Sequence, residues 1–197
     1  MSFSFIFIGS THGFIDDFFK QKEVILKVKP EFVLCEGLED LVLNSKDKFE
    51  KLFQKRKISN MNSFEEIERL VKLCFDNHIK LIGIDFRNLG LKKGLQEKIK
   101  NQEKISSLEE RELNNIISLR EKRHLDNILE YKKKSSRPIV IIVGCWHLRK
   151  ESLLIKGLEN YKLILPCNRN NRPLFAPTNN KPIKYVEITS DGNKIKN

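Results

Sequence analysis

Residues 138–147 read PIVIIVGCWH: a proline, five consecutive β-branched residues from Ile139 to Val143, then Gly144, Cys145, Trp146 and His147. β-branched side chains fit a pleated surface better than a helix. Pro138–Val143 is therefore expected as a strand, of the kind found in a parallel sheet covered on both faces by helices. The N-terminal stretch FSFIFIGSTH, residues 3–12, has the same form. An apolar run from Phe3 to Ile8 gives way to Gly9, Ser10, Thr11 and His12.

Between and beyond these two segments, strand-like and helical patterns alternate. An amphipathic helix is expected over Asp16–Val28, and a strand over Phe32–Cys35 between Pro30 and Gly37. Helices are expected over Leu38–Arg56 and Ser63–Asn77, the second with Ser63 and Glu66 as a capping box. Lys80–Ile84 reads as a strand, Leu89 to about Lys134 as a long charge-rich helix, Lys150–Glu159 as a helix and Tyr161–Leu165 as a strand. This alternation implies an α/β fold with a mainly parallel sheet of about five strands flanked by helices. One domain over residues 1–197 is expected, with an irregular arm from about residue 166. Lys184–Ile188 would add a C-terminal edge strand before the Asp191-Gly192 turn.

Composition narrows the class. A chain of 197 residues is long enough for one well-cored domain. No stretch approaches the roughly 18 apolar residues of a membrane helix, and no basic segment precedes the first apolar run, so the expectation is an intracellular, cytoplasmic protein. The four cysteines form no Cys-x-x-Cys pair and read as reduced thiols. The net charge of +11 raises nucleic acid as a partner. Yet Leu91–Arg137 carries thirteen Lys or Arg against eight Asp or Glu, interleaved as on solvated helix faces.

In an open α/β sheet, ligands bind beyond the carboxyl ends of the strands. The residues there are Gly9-Ser10-Thr11-His12, Glu36-Gly37, Asp85-Phe86-Arg87-Asn88 and Gly144-Cys145-Trp146-His147. Two of the four histidines thus end the same Gly-x-x-His motif at two different strand ends. Two imidazoles and a carboxylate suit a divalent transition ion of the manganese, cobalt or zinc type, with open positions for water. His12 and His147 are the candidate ligands, with Glu36 as third ligand or general base. Asp85 is placed to orient a histidine and Arg87 to stabilise an oxyanion. On the long helix, Arg120, Arg123, His124 and Asn127 share a stripe with Leu113, Ile116, Ile117, Ile128 and Tyr131. Either acidic partners satisfy them, or the helix aims Arg123, with His124, into the site. Cys145 reads as an inert buried thiol and His78, at the opposite sheet edge, as structural.

With these residues in view, the chain resembles the TraB, PrgY and Tiki superfamily, whose relatives include erythromycin esterase-like and ChaN-like proteins. The resemblance rests on Gly9 to His12, Leu34 to Gly37, Asp85 to Arg87, Arg123 and Val143 to Leu148, and spans about residues 3–165. It implies a metal-dependent hydrolase, with peptidase activity in the Tiki branch, acting on a peptide or small-molecule substrate. The chain departs from the pattern at Asp85-Phe86-Arg87, where relatives often have adjacent Asp and Arg, and at Cys145-Trp146, where small residues are usual. Two further readings stand beside the hydrolase. One is a non-catalytic binding module for an anionic small molecule or haem, which the ChaN-like relatives suggest; the other is a nucleic-acid-binding protein.

Overall fold

The computed structural model describes residues 3–11, 15–56, 65–87, 91–101, 103–175, 182, 184–192 and 194–195. Its strands are β1 (Phe5–Ser10), β2 (Phe32–Cys35), β3 (Val42–Leu43), β4 (Lys80–Gly83), β5 (Ile139–Gly144), β6 (Tyr161–Cys167), β7 (Lys184–Thr189) and β8 (Lys194–Ile195). The helices are α1 (Ile15–Val28), α2 (Lys46–Arg56), α3 (Glu65–Asp76), α4 (Lys93–Lys100), α5 (Ser107–Lys133) and α6 (Leu153–Lys156). The strands form one sheet of eight in the order β3-β4-β2-β5-β1-β6-β7-β8. The five strands β4-β2-β5-β1-β6 are mutually parallel, as the alternating pattern predicts. β3 at one edge and the β7–β8 hairpin at the other are antiparallel.

β5 lies between β1 and β2, and all six of its residues are buried. Its side chains alternate between two cores. Val140 and Ile142 join Ile6, Ile8, Val33 and Leu81 against α1 and α3, represented by Phe18, Ile25, Leu70 and Cys74. Ile139, Ile141 and Val143 join Phe7, Leu34 and Ile82 on the opposite face, against Ile128 of α5 and Leu154 and Ile155 of α6. A fully buried isoleucine contributes roughly 1.5–3 kcal/mol relative to exposure, so the unbroken β-branched run follows from having two covered faces.

Three helix expectations are corrected. Residues 38–45 do not join a helix, because the chain folds back onto β4. The Gly83 amide donates to the Leu41 carbonyl at 2.6 Å and the Asp85 amide to Glu39 at 2.9 Å, placing β3 on the sheet edge. A side chain at position 83 would run into the Glu39 carbonyl, so glycine is what lets this turn seat. The long pattern from Leu89 divides into α4 and α5. Ser106 and Glu109 cap α5 reciprocally, and Lys92–Glu112 (2.8 Å) and Lys98–Glu109 (2.6 Å) fasten α4 to its first turns. The stretch from Lys150 contains only the one-turn α6, started by Ser152 accepting from the Leu154 amide. Ser63, the expected capping residue of α3, lies outside the described residues. The strand expected at Lys184–Ile188 forms as β7, with β8 rather than β7 at the sheet edge, whereas Pro166 and Cys167, assigned to the irregular arm, belong to β6. No helix among the described residues is long and apolar enough to cross a membrane.

This layering predicts that Ile141→Ala, at a fully buried central position, lowers unfolding free energy by about 2–5 kcal/mol in a denaturant titration. Leu108→Ala, at a side chain 75% exposed, should stay within about 0.5 kcal/mol of the parent. Equal effects at the two positions would contradict the two-core arrangement.

Candidate functional site

β1 and β5 are neighbours, with Gly9 opposite Val143 and Ser10 opposite Gly144. The helix after β1 packs on one face of the sheet and the helix after β5 on the other. Adjacent strands whose connections leave to opposite faces define a switch point, where a crevice opens at the carboxyl edge. Both Gly-x-x-His motifs begin at this point. His12 itself lies outside the described residues, and the structure follows its motif as far as Thr11.

Glu36, directly after β2, is buried and fully engaged. Its Oε2 accepts the Gly144 amide at 2.6 Å and its Oε1 accepts Arg120 Nη2 at 2.5 Å. His147 Nε2 lies 3.5 Å from the same Oε1. The other imidazole nitrogen, Nδ1, faces Glu121 Oε1 at 3.3 Å. Glu121 also accepts Arg149 Nη1 at 2.6 Å and the Leu153 amide at 2.9 Å, so α5 holds both the His147 turn and the start of α6. Burial pulls the imidazole towards its neutral form, but Glu121 and Glu36 outweigh it and raise its pKa to about 9. Glu121 shows the same contacts from the other partner: burial raises its pKa, and His147, the Leu153 amide and Arg149 bring it down to about 2.

Asp85, after β4, has no exposed surface and receives Arg120 through Nε at 3.1 and 3.0 Å and through Nη2 at 2.5 Å. One guanidinium thus bridges the carboxylates at the ends of β2 and β4. Burial alone would raise the Asp85 pKa; His124 and Arg120 beside it lower it. His124 Nε2 is 3.4 Å from Asp85 Oδ1, within ion-pair range but outside hydrogen-bond geometry. Both ring nitrogens of this buried histidine lack a hydrogen-bond partner among the described residues. Its ring meets that of His147 edge-on, with centroids 5.1 Å apart.

The structure therefore brings Glu36, Asp85 and His147 together and distributes the expected arginines differently. Arg120, one turn before Arg123, enters the cluster. Arg123 sits at the rim, donating Nε to the Asp85 carbonyl at 3.1 Å with its guanidinium 4.5 Å from the Phe86 ring centroid. Arg87 points away to Asp40 at 2.9 Å, and its side chain is 78% exposed. Glu121 was not singled out in the sequence, although it occupies the helix position next to Arg120. Its signal is weak because acidic residues are common throughout this helix.

A second polar group lies at the end of β1. Asp17 of α1 is wholly buried and accepts the Thr11 amide (2.6 Å), Thr11 Oγ1 (2.8 Å), Ser10 Oγ (3.2 Å) and Tyr185 Oη (2.5 Å). It thereby holds Ser10 and Thr11 at the end of β1 and ties β7 to them. Gly9 matters through close approach, since a side chain there would press on Cys145 Sγ. Burial, followed by the charge of Asp17, pushes the Cys145 thiol far above its ordinary range, in keeping with the inert-thiol reading.

No family model and no curated protein matches the chain. Among solved structures, it is similar to ChaN of Campylobacter jejuni, from a structure described as cofacial heme binding to that protein. The identity is 11%, the match covers 82% of this chain and 80% of that one, and the TM-score is 0.50. At this identity the likeness establishes a shared ChaN-like fold.

Two predictions follow from the cluster. The folded pKa of His147, about 9, exceeds its ordinary 6.5, so its stabilising contribution is complete below about pH 6.5 and is lost as pH rises through 9. Thermal unfolding should show this loss, on the order of 3 kcal/mol, in the parent and much less of it in His147→Gln. Arg120→Met strands two buried carboxylates and should cost about 3–5 kcal/mol. Adding Glu36→Gln and Asp85→Asn should recover part of that, measured by denaturant unfolding of the whole series.

Proposed function

We propose that the chain is a non-catalytic binding protein for a planar, anionic small molecule held at the carboxyl edge of the sheet. The observation that carries this reading is a pair of arginine–aromatic contacts beside a charge-neutralised cluster. Glu36, Asp85 and Glu121 are balanced by Arg120, Arg149 and a protonated His147. Arg123 adds a further positive charge at the rim, stacked on Phe86. Arg149 lies 4.8 Å from the Trp146 ring centroid, and Trp146 is 43% exposed. Aromatic faces and guanidinium groups together suit a flat ring system carrying carboxylates.

A haem-like tetrapyrrole belongs to this chemical class, and the protein that shares the fold is described as binding heme. The described residues suit the plane and the acidic edge of such a ring. They do not suit its iron: His147 and His124 are buried within the cluster, Cys145 is buried, and Tyr185 is engaged by Asp17.

The metal-dependent hydrolase reading has less support. Both Glu36 oxygens are committed, Oε1 to Arg120 and Oε2 to the Gly144 amide, and His147 faces Glu36 and Glu121. Among the described residues, no three His, Cys, Asp or Glu side chains converge as a metal-binding group. His12, the other expected ligand, lies outside the described residues.

Trp146 is the chain's single tryptophan and so reports on the rim directly. Iron-free protoporphyrin IX and haemin should each quench its fluorescence saturably, with at least ten-fold weaker binding in Arg123→Ala. Absence of saturable quenching by either probe would overturn the proposal. A metal-dependent hydrolysis abolished by His147→Ala would restore the hydrolase in its place.

A further inference from the structure

The opposite, amino edge of the sheet contains a cavity of about 470 Å³, within the size range of small-molecule sites. Ile25, Pro30 and Ile79 contribute apolar lining, and Lys29, His78, Lys80 and Arg137 supply nitrogen donors. Glu31 is the acidic residue of the lining; its carboxylate is hydrogen-bonded by the Ser135 segment, and its charge also acts on Lys80 and Arg137. It accepts Ser135 Oγ at 3.0 Å and the Ser136 amide at 3.2 Å. Lys29, His78 and Lys80 have no carboxylate in salt-bridge range among the described residues.

Two of these donors sit on strained backbone. Lys29 follows α1 with φ +50°, and His78 follows α3 with φ +56°. Both close the last helical turn, Lys29 through its amide to the Ile25 carbonyl and His78 through its amide to Phe75. The left-handed residue at a helix C-terminus is usually glycine, which adopts it without steric penalty. Here both positions keep a cationic or ionisable side chain, and both side chains line the same cavity. Strain of this kind marks residues retained for something other than stability. Offsetting the helix dipoles would account for Lys29 and His78. Arg137 adds a helix-end contact of its own, donating Nη1 to the Lys29 carbonyl at 3.1 Å, and the Lys80 ammonium lies 4.9 Å from the Phe32 ring centroid; the dipoles do not account for Lys80, at the start of a strand, facing the same cavity.

We infer that this cavity is a second ligand site, distinct from the carboxyl-edge cluster, which takes the phosphate group of a small molecule. Three permanent cations and an imidazole around an apolar floor match a phosphorylated ligand with a modest apolar body. The site is independent of the binding proposal for the other edge, because the two share no residue.

Calorimetric titration of the full chain with inorganic pyrophosphate tests the inference. Saturable binding is expected, at least ten-fold weaker in Lys29→Gln/Lys80→Gln and unchanged in Lys122→Gln/Lys133→Gln on the exposed face of α5. Lys29→Gly should weaken binding while raising the thermal midpoint, because it relieves the strained backbone. Absence of saturable binding would overturn the inference, as would an equal loss in the α5 variant. Tighter, salt-sensitive binding of a single-stranded oligonucleotide that depends equally on the α5 lysines would also overturn it, and would assign the basic charge to nucleic acid.

Discussion

The guanidinium of Arg120 is the interaction around which the carboxyl edge is arranged. Two buried carboxylates, at the ends of β2 and β4, would repel each other and resist desolvation without a cation between them. The fork geometry of arginine lets one side chain serve both. The same helix turn supplies Glu121 to His147 and to the start of α6. Position, protonation and packing therefore belong to one network, and no member can change charge without affecting the others.

Within that network His147 is held between Glu36 and Glu121, whose charges raise its pKa to about 9. Arg123, at the rim, lies outside that charge balance. The contrast between buried neutrality and a cationic rim is the physical basis for reading the edge as a binding surface.

Much of the fold was legible because the parallel strands are apolar throughout and the intervening helices are amphipathic. Ile139–Val143 could hardly be anything but a central strand. Residues 38–45 read as helix in the sequence because their return onto β4 depends on backbone contacts at Gly83, which leave no mark in hydrophobic periodicity. Glu36, Asp85 and His147 could be grouped from their places at strand ends. Arg120 and Arg123 lie on the same stripe of α5, and only the crossing angle of that helix decides which of them enters. Glu121 was invisible for a related reason: its partners, Arg149 and the Leu153 amide, come from a turn whose path periodicity does not describe.

The bond from Tyr185 to Asp17 joins residues 168 positions apart. During synthesis, Asp17 and the end of β1 leave the ribosome long before β7. Until β7 docks against β6, the carboxylate lacks one of the four donors described above, and the end of β1 is held only by its immediate neighbours. The β7 strand thus completes the first strand end of the sheet only after β6 is in place.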